Sequence, residues 1–261
     1  MKRILTLVTI SALFLGSCSK DDKKDNISPI GQATLTFDSR VNTEDFALNK
    51  DFTIGGTKYK FTQLRYWVSN VSLINDKGET YNVPNSYFLL EENNAIDVQG
   101  GAFSYPARKR EEVTISDIPA GNYKAVSFSI GVDAEHNDNL SLQAGELSQL
   151  NGMTNISWMW HTSYIFSSLK GSRIVGTDTT GITVETGLNT NYRSLKVDLP
   201  AAVAIGGKTA SIKFNVDVTK IIEGLDLAKT PVIGASQKTE MTLVADNYSK
   251  KAILVSGTSN K

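Results

Sequence analysis

The sequence is poor in the residues that most often carry chemistry. Its 261 residues include one cysteine, two histidines, three tryptophans and four methionines. The single cysteine, Cys18, forbids a disulfide within one chain, so burial alone must hold the fold. With only His136 and His161 present, a site built from three imidazoles of one chain is excluded. Net charge is zero, 27 basic against 27 acidic residues, which removes the one-signed field that nucleic-acid binding requires. There is no GxSxG elbow, no HExxH and no P-loop. Neither histidine has an evident Ser or Cys partner, so the chain is read as a non-enzyme. Carboxylates are plentiful but unplaced, and a glycosidase-type pair among them stays open.

Long apolar runs are scarce as well. Ile4 to Leu15 is too short to span a bilayer, and it follows the basic Met1-Lys2-Arg3, which is the layout of a signal peptide. Leu15-Gly16-Ser17-Cys18 resembles the lipobox of bacterial lipoproteins, which implies cleavage after residue 17 and lipidation of Cys18. The competing reading is an ordinary signal peptide with a chance cysteine. Ser19 to Asp25 is too charged and too short to fold, and reads as a tether. The expected layout is a signal peptide over 1–17, a tether over 18–31 and a folded domain over 32–261. Cys-Ser-Lys-Asp-Asp also resembles the export signal that sends some Gram-negative lipoproteins to the outer face of the outer membrane. The expected location is therefore the outer membrane through a lipid anchor, with cell-surface display favoured over a periplasm-facing one.

What the chain has in quantity is short β-favouring runs separated by turn residues, with little helical periodicity. Ala33–Phe37 alternates, and Asn42–Gly56 reads as a loop. Lys58–Phe61 and the long Leu64–Ile74 follow, with Asn75-Asp76-Lys77-Gly78 as a hairpin signal before Tyr81–Leu90. Gly100–Arg110 reads as a loop carrying a solvated cluster, Arg108-Lys109-Arg110 facing Glu111-Glu112. Val113–Ile118, the Pro119-Ala120-Gly121-Asn122 turn and Tyr123–Val132 predict a second hairpin. Asp133–Gln149 is loop-like, with room for one short helix. Strands are expected at Arg173–Val175, Gly181–Thr186, Ser194–Leu199 and Thr209–Val218, a helical turn at Thr219–Leu225, and closing strands at Met241–Ala245 and Ala252–Val255. This pattern is all-β, an antiparallel sandwich or barrel.

The stretch Asn151–Gly171 concentrates the scarce residues. Ile156–Leu169 reads as a strand, which places Trp158, Trp160, Thr162, Tyr164 and Phe166 on one face and Met159, His161, Ser163 and Ile165 on the other. Copper(I) accepts thioether and imidazole donors, so His161 with Met159 or Met153, completed by His136, is a candidate metal set. The competing account makes His161 a strand residue and the methionines core filler. Trp158 and Trp160 can pack a core or stand beside a metal, where oxidation is open to them. The loop Asp133–Asn139 has oxygen-bearing side chains as calcium ligation requires, but Asp138 stands where an EF-hand loop needs Gly, and a solvated loop is the favoured reading.

Several elements in order resemble the MbnP-like copper-binding lipoproteins and periplasmic proteins. Phe61-Thr62-Gln63-Leu64-Arg65-Tyr66-Trp67-Val68-Ser69 is similar to the family's FT-x-LRYY-hS strand, and Ile130-Gly131-Val132-Asp133 to its hGVD strand end. Gly152-Met153, Trp158-Met159-Trp160 and Tyr164-Ile165-Phe166 resemble its GM-x-W-x-W-x-x-GYhF signature; Lys170-Gly171, Leu195–Pro200 and Phe214–Glu223 continue the pattern. The resemblance implies an immunoglobulin-like β-sandwich, copper binding, and oxidation of a tryptophan by a dihaem cytochrome-like partner. The chain departs from the pattern where Glu185-Thr186-Gly187 replaces H-x-G. The expected function is copper acquisition or handling in the cell envelope. The alternative is a surface ligand-binding or adhesion sandwich whose metal site is lost, which the missing histidine favours.

Overall fold

The computed structural model describes residues 30–155, 163–207 and 209–260. The chain runs through β1 (Ile30–Val41), β2 (Glu44–Asp45), β3 (Asp51–Ile54) and the 19-residue β4 (Thr57–Asn75). Next come β5 (Thr80–Asn82), β6 (Tyr87–Asn93), the ribbon of β7 (Ile96–Val98) and β8 (Phe103–Tyr105), β9 (Arg108–Arg110), β10 (Glu112–Pro119) and β11 (Gly121–Ile130). A one-turn helix α1 (Ala134–Asn137) opens a long excursion that ends at β12 (Thr154–Asn155). The remainder is β13 (Ser163–Val175), β14 (Asp178–Gly187), β15 (Arg193–Ile205), β16 (Thr209–Asp217), α2 (Val218–Ile221), β17 (Val232–Ile233), α3 (Lys238–Asn247) and β18 (Ile253–Asn260).

Two sheets face each other across one core, as the alternation of apolar and polar residues predicted. The first has the order β10-β1-β16-β18, and the second β15-β11-β4-β13-β14-β17. Pairing is antiparallel except for β1 with β16 and β14 with β17. Phe37 and Phe214 of the first sheet meet Phe128 of the second, with ring centroids 5.0 to 5.4 Å apart. Such aromatic pairs add about 0.5–1.5 kcal/mol each beyond the area they bury.

Strand β4 is the frame. One edge carries β13 and then β11, and the other carries β3, β6 and β5 in succession. Strict alternation along it would put Gln63, Arg65, Trp67 and Ser69 on the same face as Tyr59, Phe61, Val71 and Leu73. Two single-residue bulges prevent this, because each extra residue flips the faces that follow. Thr62 is unmatched where Phe61 pairs with Gly171 and Gln63 with Lys170. Asn70, with φ at +51°, is unmatched where Ser69 pairs with Ser129 and Ser72 with Ser127. Leu64, Tyr66 and Val68 thereby join the sandwich core, while Arg65, Trp67 and Ser69 turn outward.

That outer face is itself covered. The excursion after β11 supplies Val132, Leu140, Leu147 and Met153, which bury Trp67, Tyr87, Leu89, Tyr164 and Phe166 in a satellite cluster. Lys58–Phe61 and Leu64–Ile74 are thus one bulged strand rather than two. Asn42–Gly56 and Gly100–Arg110, expected as loops, contain short strands that pair with β4 and β6 or form the β7–β8 ribbon.

Two further expectations are corrected. Val113–Ile118 and Tyr123–Val132 do not form a hairpin, because β10 pairs with β1 and β11 with β4 and β15. The Pro119–Gly121 turn is a corner between sheets, and the Tyr123 hydroxyl donates back to the Pro119 carbonyl at 2.8 Å, the hydrogen bond of a tyrosine corner. Met241–Ala245 is helical rather than a strand. Its buried residues Met241, Val244, Ala245 and Tyr248 recur at three, four and seven, which is the helix period.

The bulge at Thr62 brings Gly171 against β4. A Cβ on residue 171 would lie 2.3 Å from the Lys60 carbonyl oxygen, whereas one on Gly181 of β14 meets nothing within 4 Å. Gly171→Ala should destabilise the domain by about 1–3 kcal/mol in urea denaturation. Gly181→Ala should stay within about 0.5 kcal/mol of wild type. Equal effects of the two substitutions would contradict the bulge as the tight point.

Candidate functional site

At Trp67 the edge of β4 forks, as β13 departs and β11 takes over. The Gly131 amide donates to the Trp67 carbonyl at 3.1 Å, and the Ser69 hydroxyl donates to the Gly131 carbonyl at 2.7 Å. A Cβ on Gly131, where φ is +111°, would overlap the Phe166 ring at 2.5 Å, so only glycine lets the chain leave the strand here. The next residues are Val132, buried in the satellite cluster, and Asp133, which caps α1. Its carboxylate accepts from the His136 amide at 3.3 Å, which is the ordinary reason for Asp at this position.

The same carboxylate organises a cluster. His136 Nδ1 lies 3.0 Å from Asp133 Oδ1 and 3.0 Å from the Tyr87 hydroxyl. The Tyr87 hydroxyl donates to Asp133 Oδ2, and Asn70 Nδ2 donates to that oxygen at 3.2 Å and to the Tyr192 hydroxyl at 2.7 Å. Burial pushes the Asp133 carboxyl up, but hydrogen bonds from Tyr87, His136 and Asn70 outweigh it and hold the group below its ordinary value. Burial, and then the hydrogen bond to Asp133, push the Tyr87 hydroxyl well up.

These facts fix a tautomer. An ionised carboxylate accepts only, so Nδ1 of a neutral His136 must carry the hydrogen and Nε2 the lone pair. This is the arrangement in which a carboxylate orients an imidazole for metal binding through its other nitrogen. Glu135 is exposed, and one ligand atom each from Asp133, Glu135 and His136 lies within 4.8 Å of the others. In that arrangement Asp133 positions the ring, and His136 Nε2 with the nearby Glu135 carboxylate is a nitrogen–oxygen set of the kind copper(II) accepts.

Of the residues singled out in the sequence, His136 is at this cluster. Met153 is 1% exposed inside the satellite cluster. His161, Met159, Trp158 and Trp160 lie outside the described residues, as does Cys18. The two flanks of 156–162 are fixed beside α1: Asn155 pairs with Ser163, and the Tyr164 amide donates to Asn137 Oδ1 at 2.8 Å. Tyr164 and Phe166, from the aromatic face of that stretch, are buried. Glu185 accepts from the Ser168 hydroxyl at 3.0 Å and pairs with Lys170 at 3.3 Å.

The oxygen-rich loop has other uses for its side chains. Asp138 accepts two hydrogen bonds from Asn189, Asn137 bonds Asn189 and Tyr164, and Asn139 accepts from Ser141. They therefore do not converge on a calcium-like centre. Sequence reasoning missed Tyr87, Asn70 and Tyr192, which reach the cluster only through strand register. The Asp133–His136 spacing was the one local signal.

A family model described as MbnP matches residues 30–241. Among solved structures, MbnP from Methylosinus trichosporium aligns with 87% of this chain and 99% of that chain, at a TM-score of 0.54 and 14% sequence identity, which is a likeness of fold. No curated protein matches the sequence.

Because Asp133 is held ionised below the ordinary value of 3.8, its contribution to stability is present above that pH. It is lost as pH falls through the lower folded-state value. Asp133→Asn should remove that part of the acid dependence. The stability gap between wild type and variant, measured by urea denaturation, should be level above about pH 5 and shrink between about pH 5 and about pH 2. A gap that stays constant over that range would show that the carboxylate is not held by this network.

Proposed function

The chain belongs to the MbnP family, and on that premise we propose that it binds copper in the cell envelope and serves copper acquisition or handling. The observation that carries the reading is the Asp133–His136 pair at 3.0 Å, with Tyr87 on the same nitrogen, which presents His136 Nε2 as a ready donor. His161 is the second nitrogen donor in this proposal and Met159 the sulfur donor. The flanks of 156–162 support it, since Asn155 pairs with Ser163 and Tyr164 is tied to Asn137 of α1. Met153 is assigned to packing, given its place in the satellite cluster. Trp158 and Trp160 are the residues open to oxidation by a dihaem cytochrome-like partner.

Anchorage through a lipidated Cys18 in the outer membrane is part of the same proposal, and the topology suits it. Ile30 pairs with Pro119, at the corner where β11 starts, while the Asp133 cluster follows the end of β11. Ten residues at ~3.3 Å each put the two roughly 30 Å apart. Ile30, the first residue of β1, therefore lies at the pole opposite the cluster.

The second reading, a ligand-binding or adhesion sandwich without metal, draws on Glu185, whose carboxylate is engaged by Ser168 and Lys170. Copper titration separates the two. The purified protein should bind one copper ion, and His136→Ala and His161→Ala should each weaken binding by roughly tenfold or more. Tyr87→Phe and Asp133→Asn should weaken it by about 10–100-fold through loss of imidazole orientation, while Met153→Leu leaves it unchanged. Absence of stoichiometric copper, or affinity indifferent to both histidines, would leave the second reading.

A further inference from the structure

A cleft of ≈ 390 Å³ opens beside the satellite cluster, with Leu89 in its wall, two residues along β6 from Tyr87. The register of the β7–β8 ribbon, Val98 with Phe103 and Ile96 with Tyr105, puts both aromatics on the face that covers β4 and β6. Asp97 and Ser104 alternate to the opposite face. Leu150, from the excursion, forms the facing wall. Phe103 is 39% exposed and Leu150 44%, so two of the large apolar side chains left in water meet at this one cleft.

The polar groups beneath and around it are unbalanced. Glu91 is fully buried and accepts from Arg65 Nε at 2.9 Å and from the Tyr105 hydroxyl at 2.6 Å. Arg108 Nη1 lies 3.4 Å from the same carboxylate and 3.4 Å from the Tyr105 hydroxyl. Glu146, at the rim, is bound by Arg110 and accepts from the Leu89 amide at 3.0 Å. Three guanidinium groups, Arg65, Arg108 and Arg110, therefore share two carboxylates. Arg65 Nη1 is buried without a hydrogen-bond partner among the described residues. Arg108, 46% exposed in the cleft lining, is the cation left facing solvent.

We propose that this cleft binds a small organic monocarboxylate, with its apolar body against Phe103 and Leu150 and its carboxylate on Arg108. The volume falls in the range of small-molecule sites, roughly 300–1,000 Å³. A guanidinium at the edge of an apolar wall is the group best matched to a carboxylate in geometry as well as charge. The excess of one positive charge gives the sign of the ligand, and the exposed apolar pair gives its body. The site is separate from the Asp133–His136 cluster and does not depend on copper.

The test uses the full chain, with phenylpropionate as probe and the neutral phenylpropionamide as control, followed by calorimetry and by amide shifts in NMR. Phenylpropionate should bind saturably and shift residues of the β7–β8 ribbon and Ser148–Asn151. The amide should bind at least about tenfold more weakly, as should phenylpropionate to Arg108→Gln, since a charge-assisted hydrogen bond is lost. Phe103→Ala, which removes an exposed ring and leaves the ion pairs intact, should weaken both probes. No saturable binding, equal binding of acid and amide, or binding that survives both substitutions would overturn the proposal.

Discussion

Two extra residues in β4, Thr62 and Asn70, decide which side chains of the central strand see the core and which see the opposite face. Without them the polar Gln63, Arg65 and Ser69 would line the sandwich interior, where unpaired polar groups cost several kcal/mol each. With them the inner face stays apolar over the whole strand. The outer face acquires a column of Gln63, Arg65, Trp67 and Ser69 that needs a cover of its own. The excursion from Val132 to Met153 and the β7–β8 ribbon provide it. Both the Asp133 cluster and the cleft at Phe103 arise where that cover meets the sheet.

The outer column is held by polar contacts as much as by packing. Arg65 and Glu91 are both fully buried and joined at 2.8 Å, with the Tyr105 ring 4.8 Å from the guanidinium carbon. Burial of such a pair gives little net stability, because desolvation offsets most of the attraction. Its removal by halves is costly, however, and this ties the ribbon to the sheet in one arrangement. Gln63 extends the column sideways by donating to Ser168, which donates in turn to Glu185. Glu185 thus belongs to a cross-strand polar row, a structural use that explains how its carboxylate is tolerated beside β13.

Much of this was legible in the residues themselves. The all-β class, the long strand through Leu64–Ile74, the turn at Asn75–Gly78 and the helical turn before Leu225 follow from local patterns. The corner at Pro119–Gly121 was misread because a turn between two strands looks the same whether they pair with each other or part to different sheets. Met241–Ala245 was misread because Thr242 and Val244 favour strands locally, while the helical spacing out to Tyr248 shows only over a longer window. Tyr87, Asn70 and Tyr192 had no local signal, being 46 to 63 residues from Asp133.

By itself the sequence determined what the chain could be made of: alternating strands, no disulfide, at most two imidazoles, and an ordered set of motifs shared with one family. Only the tertiary structure decided which atoms meet. The pairing of Ser69 with Tyr87 and the fork at Gly131 bring a tyrosine and a helix cap to one imidazole, and an asparagine to that cap. The physical reason is that side-chain direction in a strand depends on register and bulges. A single inserted residue reverses it, and nothing in the composition of the segment records which residue that will be.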